Sequence, residues 1–171
     1  KLTIGGMKLW ADGAFGARTA WISQDYKGTE GYQGNEKFSD EELIALFKKA
    51  DEKNLQIAVH CIGDASIKQI IDCYEKAFAN SMDKDRRFII DHFHVPTPED
   101  IQKLVDYKII NSTQFMQLSS DMEVIGDILP DILIKRSYPW RAVLDKGGVI
   151  CNGSDTPIDP LNPFPALYVA V

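Results

Sequence analysis

A short strand that stops at a titratable residue, then a turn, then an amphipathic helix: this unit recurs along the chain and narrows its folding options most. Its clearest copy is Asn54–Lys68, NLQIAVHCIGDASIK. Leu55–Val59 is an apolar run with two β-branched residues, too short for a helix and suited to a strand buried on both faces. The run ends in His60. Gly63 and Asp64 close a turn, and Asp64 is expected to cap the following helix, about Ala65–Ala79. Ile67, Ile70, Ile71, Tyr74 and Phe78 recur there at helical spacing.

The plan repeats on both sides. Ile4–Trp10 reads as a strand carrying Lys8. Ser39-Asp40-Glu41-Glu42 is a capping box, opening a helix with Leu43, Leu46, Phe47 and Ala50 on one face. Arg87–His94 is the next strand, and Thr97-Pro98-Glu99-Asp100 starts the next helix. Lys108–Gln114 is a fourth strand. Phe115–Ser137 is less regular, with a short helix expected around Met122–Ile128. Pro139–Lys146 is a helix closed by Gly147-Gly148, and Val149–Cys151 is a fifth strand with Gly153-Ser154-Asp155 at its end. The segment Ala14–Phe38, about 25 residues without a period of its own, is long for a connection, and such loops usually serve function.

Alternation of this kind predicts an α/β fold with a parallel sheet, either an open doubly wound sheet or a barrel. In a barrel, Lys8, His60, His92 and Asp155, each near the end of a different strand, would converge on one mouth. Neutral imidazoles and a carboxylate are ligands for zinc and similar divalent ions, which turn water into a nucleophile near neutral pH. Asp12 and Asp64 read as turn or cap residues.

Composition excludes several classes. The 171 residues suffice for one domain, with 44% hydrophobic and 26% charged residues, which is globular usage. A net charge of −6 without a long Lys/Arg block argues against nucleic acid as a partner. No apolar run approaches the ~20 residues of a membrane span. The three cysteines (Cys61, Cys73, Cys151) match no zinc spacing, and free thiols in a reducing cytoplasm are the expectation. Gly13-Ala14-Phe15-Gly16 lacks a phosphate fingerprint, and Ser154 is not in a nucleophile elbow.

Five blocks carry a resemblance: KLWADGAFGARTA (Lys8–Ala20), AVHCIGD (Ala58–Asp64), DHFHV (Asp91–Val95), YPWRAVLDKGG (Tyr138–Gly148) and NGSDTPIDPLNP (Asn152–Pro163). In this order they resemble the amidohydrolase superfamily, in the branch of YtcJ-like proteins and N-substituted formamide deformylase. The resemblance implies a (β/α)8 barrel, of which residues 1–171 would be the C-terminal part, strands four to eight: a partial TIM-type barrel of about five parallel strands. It implies Lys8 as the strand-four lysine, carboxylated where it bridges two metals, and His60 and His92 as metal-binding histidines. Asp155 would be the aspartate that binds metal and takes the proton of the attacking water. The implied activity is metal-dependent hydrolysis of non-peptide, amide-type C–N bonds in a small molecule, with a divalent metal, zinc, as the implied cofactor. The rival reading is a truncated or non-catalytic α/β module with an incomplete metal site.

Two departures qualify the resemblance. The strand-one His-x-His of the family is absent, so this chain alone is expected to be a poor catalyst, and its unpaired sheet edges are expected to drive self-association. The chain reads Asp91-His92-Phe93-His94 where the family has Glu-His followed by small and amide residues. The resemblance therefore leaves His94 in the position of a group that either faces the substrate or supports the metal ligands. Arg18 and Arg141 are candidate contacts for a substrate carbonyl or carboxylate.

Overall fold

The computed structural model describes residues 2–171. Strands β1 (Gly6–Trp10), β2 (Gln56–Cys61), β3 (Ile89–His92), β4 (Ile110–Thr113) and β5 (Ile150–Asn152) form one parallel sheet in the order β1-β2-β3-β4-β5. That order decides between the two architectures. A doubly wound sheet reverses direction at a switch point. Here every crossover steps the same way, so the helices collect on one face and the strands form part of a (β/α) barrel wall.

Helices α1 (Asp40–Glu52), α2 (Asp64–Phe78) and α3 (Pro98–Asp106) cover that outer face. The first and third open with complete capping boxes, Ser39 with Glu42 and Thr97 with Asp100. The pleat sends Ile57, Val59 and Ile90 outward, where they are buried against Leu43 and Phe47 of α1, Ile70 and Ile71 of α2 and Leu104 of α3. Each such side chain contributes about 1.5–3 kcal/mol when removed from water. Phe88 sits edge-on to Phe47 at 5.1 Å and to Tyr74 at 4.9 Å, joining α1 to α2 beneath the sheet.

After β4 come three short helices, α4 (Phe115–Asp121), α5 (Ile125–Ile128) and α6 (Asp131–Ile134), then α7 (Trp140–Asp145) and, after β5, α8 (Pro163–Val169). The α5–α6 segment supplies Ile125, Leu129 and Leu133 to a second apolar cluster over the C-terminal ends of the strands. Its other half comes from the long loop after β1: Phe15, Ala20, Ile22 and Tyr26 are each at most 1% exposed. The loop backbone also presses on α2. A Cβ on Gly63 would lie 1.9 Å from the Trp21 carbonyl oxygen, so no larger residue fits there.

Three expectations need correction. Gly63, not Asp64, is the N-cap of α2; Asp64 is the first helical residue. The third strand ends at His92 rather than His94, because His92 and Phe93 both have positive φ (74° and 55°) and leave the extended region. The expected helix around Met122–Ile128 is present only as the single turn α5, and a longer helix, α4, precedes it from Phe115. Among the described residues, no helix is long and apolar enough to cross a membrane.

Candidate functional site

In the sheet register, Trp10, His60 and Asp91 are neighbours on adjacent strands, and Lys8 aligns with Ala58 one layer below. Residues in register share a face, so Lys8, His60 and Asp91 point to the inner side of the wall. Lys8 donates to Asp91 Oδ2 in a close ion pair.

By the same register His92 aligns with Cys61 and would face the helices. A γ-turn redirects it. Phe93 N–H donates to Asp91 O at 3.1 Å and to Cys61 O at 3.0 Å, which closes the chain around His92 at φ 74°. Backbone of this kind costs on the order of 1–3 kcal/mol and persists where the surroundings over-determine it. The fully buried Phe93 side chain supplies that constraint. The His92 ring ends edge-on to His60, 4.4 Å between centroids.

Hydrogen-bond partners assign the two tautomers. His60 Nε2 lies 2.8 Å from the Gly13 carbonyl, which can only accept, so Nε2 carries the proton and Nδ1 keeps its lone pair. His92 Nδ1 lies 3.1 Å from Gln117 Oε1, so its proton is on Nδ1 and Nε2 is free. That Nε2 is 3.9 Å from Asp155 Oδ2. Burial, reinforced by His92, pushes His60 down to about 4. Burial also lowers His92, and lowers His94 further. All three imidazoles are thus neutral near pH 7, as ligation requires.

His94 lies beyond the strand end and is buried. Its Nδ1 is 3.3 Å from the Tyr138 hydroxyl and 3.6 Å from Asp121 Oδ2, and Tyr138 donates a close hydrogen bond to the same carboxylate oxygen. The three histidines form one wall of a cavity of about 320 Å³, with Phe15, Ile62 and Ile158 as apolar lining. Gln117 and Asp121, four residues apart on α4, and Asp155 after β5 complete it.

The structure therefore brings His60, His92, His94 and Asp155 together. It places the other candidates elsewhere. Lys8 is paired with Asp91 below the cavity. Arg18 Nη1 donates to Lys27 O within the long loop, at 3.3 Å. Arg141 lies on α7 with its side chain 88% exposed and bound to Asp145, outside the cavity lining. Sequence reasoning missed Gln117, Asp121 and Tyr138. The i, i+4 spacing of Gln117 and Asp121 was the available signal.

Asp12 has a larger part than a turn residue. It is fully buried; Oδ2 accepts from Trp21 N–H (3.1 Å) and Gly63 N–H (2.8 Å), and Oδ1 accepts from Ile62 N–H (3.1 Å). Burial pushes its carboxyl up to about 7 against the pull of these amides. It ties the loop after β1 to the end of β2, which positions the Gly13 carbonyl on His60. Asp64 does similar work one turn on, accepting from Ser23 and from Arg136 at 2.9 Å.

The donor types suit a borderline divalent ion: two neutral imidazole nitrogens with free lone pairs and a carboxylate. Their spacing stops short of a closed shell. Among the described residues no group of three or more His, Cys, Asp or Glu side chains is gathered closely enough to hold an ion.

Residues 1–171 match the Amidohydrolase family along their whole length. The chain is 32% identical to Protein LONG AFTER FAR-RED 3 of Arabidopsis thaliana over 171 residues, covering 99% of this chain and 29% of that protein. It is also 32% identical to the putative amidohydrolase YtcJ of Bacillus subtilis (strain 168) over 168 residues, 98% of this chain and 31% of the relative. An uncharacterized metal-dependent hydrolase from Pyrococcus furiosus superposes with a TM-score of 0.87 at 26% identity, over 98% of this chain and 34% of its own. The chain thus spans about a third of the length of the proteins it matches.

Proposed function

This chain belongs to the amidohydrolase family, and from that premise we propose that it contributes part of the metal site of a hydrolase acting on non-peptide, amide-type C–N bonds. In this reading its five strands are strands four to eight of the barrel. The observation that carries it is the pair of neutral imidazoles whose unprotonated nitrogens, His60 Nδ1 and His92 Nε2, are left free in a cavity that Asp155 also lines, 3.9 Å from His92 Nε2.

His60, His92 and Asp155 would hold a divalent ion, zinc by its preference for nitrogen with oxygen donors. Such an ion polarises a carbonyl and acidifies water. Asp155 would accept the proton of the attacking water on a carboxylate oxygen and return it to the leaving nitrogen. Gln117 and Gly13 hold the two imidazoles in their ligating tautomers. Lys8, neutralised by Asp91, would have to exchange that partner before bridging a second ion.

Zinc content of the purified protein tests this reading directly. His60→Ala and His92→Ala should each lower it by about tenfold or more, the scale of losing one ligand. His94→Gln should leave it intact, since His94 Nδ1 already faces Tyr138 and Asp121. A wild-type protein that takes up no zinc, or a His94→Gln variant emptied while His92→Ala stays filled, would refute the assignment; the first outcome favours the non-catalytic module. The same samples, assayed on N-formyl amines, report whether this chain turns over substrate by itself.

A further inference from the structure

The cavity lining, beside His94, carries a carboxylate that the proposed hydrolysis does not use. Asp121 stands at the C-terminal end of α4, its side chain 19% exposed. Tyr138 occupies its Oδ2, whereas Oδ1 receives no hydrogen bond among the described residues and is not sealed from the cavity. Tyr138 is itself fixed: its backbone N–H donates to His94 O at 2.7 Å, and its ring packs on His94 at 4.5 Å and on Trp140 at 5.5 Å. Asp121 is therefore an acceptor held in one orientation with one oxygen to spare.

The charge around that acceptor is one-sided. Two carboxylates, Asp121 and Asp155, line the cavity, and no lysine or arginine among the described residues does. A ligand carboxylate placed against Asp121 would meet like charge with no side-chain cation to offset it, while an N–H donor would find the open oxygen. The apolar lining from Phe15, Ile62 and Ile158 suits a compact group of roughly the size of one aromatic ring within the 320 Å³ available.

We propose that Asp121, oriented by Tyr138, is the specificity-determining residue of this cavity: it takes an N–H of the ligand, so the site selects compact amides that are neutral or cationic and rejects those bearing a carboxylate. This rests on the hydrolase reading for its substrate class, and its test is made independent of turnover.

Benzamidinium, benzamide and benzoate are nearly isosteric and carry charges of +1, 0 and −1. Calorimetric or NMR titration of the full chain in chelator-treated buffer should rank them in that order. The gap from benzamidinium to benzoate should reach about tenfold or more, the scale of one charge-assisted hydrogen bond. Asp121→Asn, nearly isosteric, should compress the gap to about threefold or less. Tyr138→Phe, which keeps the carboxylate but frees its oxygen, should compress it partly and serves if Asp121→Asn does not fold. Benzoate binding as tightly as benzamidinium, or an unchanged gap in both variants, overturns the proposal. Failure of hydrolysis with the ranking preserved would count against the reaction and leave this assignment standing.

Discussion

Replacing Asp12 is the most informative single perturbation of this fold. Among the described residues its carboxylate is the sole acceptor for the N–H groups of Trp21, Gly63 and Ile62. Asp12→Ala strips all three. A buried donor left unsatisfied costs about 1–3 kcal/mol. Relief from burying a carboxylate offsets part of the sum, so the net loss should be about 3–4 kcal/mol. Asp12→Asn should be milder, about 1–2 kcal/mol: its oxygen can take the Oδ2 position and keep Trp21 and Gly63, while its amide meets the Ile62 N–H. Urea unfolding followed by circular dichroism reads this as a midpoint shift. With a slope of about 2 kcal/mol per molar, Ala should lower the midpoint by about 1.5–2 M. A loss under about 1 kcal/mol for Asp12→Ala, or equal losses for Ala and Asn, would refute Asp12 as the tie between the loop and β2.

Acid should weaken the fold through its histidines. His60 is depressed to about 4 from an unfolded value near 6.5, so its contribution is complete above about pH 6.5 and is lost as pH falls through about 4. His92 and His94 shift in the same direction; unfolding free energies at pH 7.5, 6 and 5 should fall in series, and His60→Gln should flatten the series. Asp12 acts with the opposite sign: a raised carboxyl contributes below its unfolded value near 4 and loses that as pH rises through about 7, so Asp12→Asn should show a steeper acid loss than wild type. Arg141→Ala should change stability by less than about 0.5 kcal/mol, because its partner Asp145 is a solvent-exposed i, i+4 contact; a larger loss by urea unfolding would contradict its placement. The outer strands β1 and β5 each lack one neighbour among the described residues, and Trp10, Leu161, Phe164 and Tyr168 are exposed, so sedimentation should find dimers or larger species; a monomer at micromolar concentration would count against this.

How far the residues disclosed the site depends on the kind of contact. His60 was legible because a β-branched run, a glycine turn and a helix follow one another within fifteen residues, and each signal is local. The α3 start was equally plain in Thr97-Pro98-Glu99-Asp100. His92 was found by its block, yet the pleat alone would have turned it outward; only the γ-turn, set by Phe93 burial and two carbonyls, explains its direction. Gln117, Asp121 and Tyr138 were hard to single out, with only the i, i+4 spacing of the first two to mark them, because they arrive from short, weakly periodic helices and a loop, and their partners are 17–44 positions away. Arg18 and Arg141 both stand outside the cavity lining, and charge type says nothing about which way a long side chain extends.

The loop after β1 has a consequence for anyone altering this protein. Phe15, Ile22 and Tyr26 are anchored in a core of their own, and Gly63 lies against the Trp21 carbonyl with no room to spare. Swinging the segment away would expose three large apolar side chains and break the Asp12 amide bonds, a penalty comparable to the whole stability of many domains. The segment behaves as masonry rather than as a door. Retuning what the cavity accepts should therefore proceed by swapping the faces of individual bricks, Phe15 or Ile158, at constant length; lengthening or shortening the course itself should bring down His60 with it.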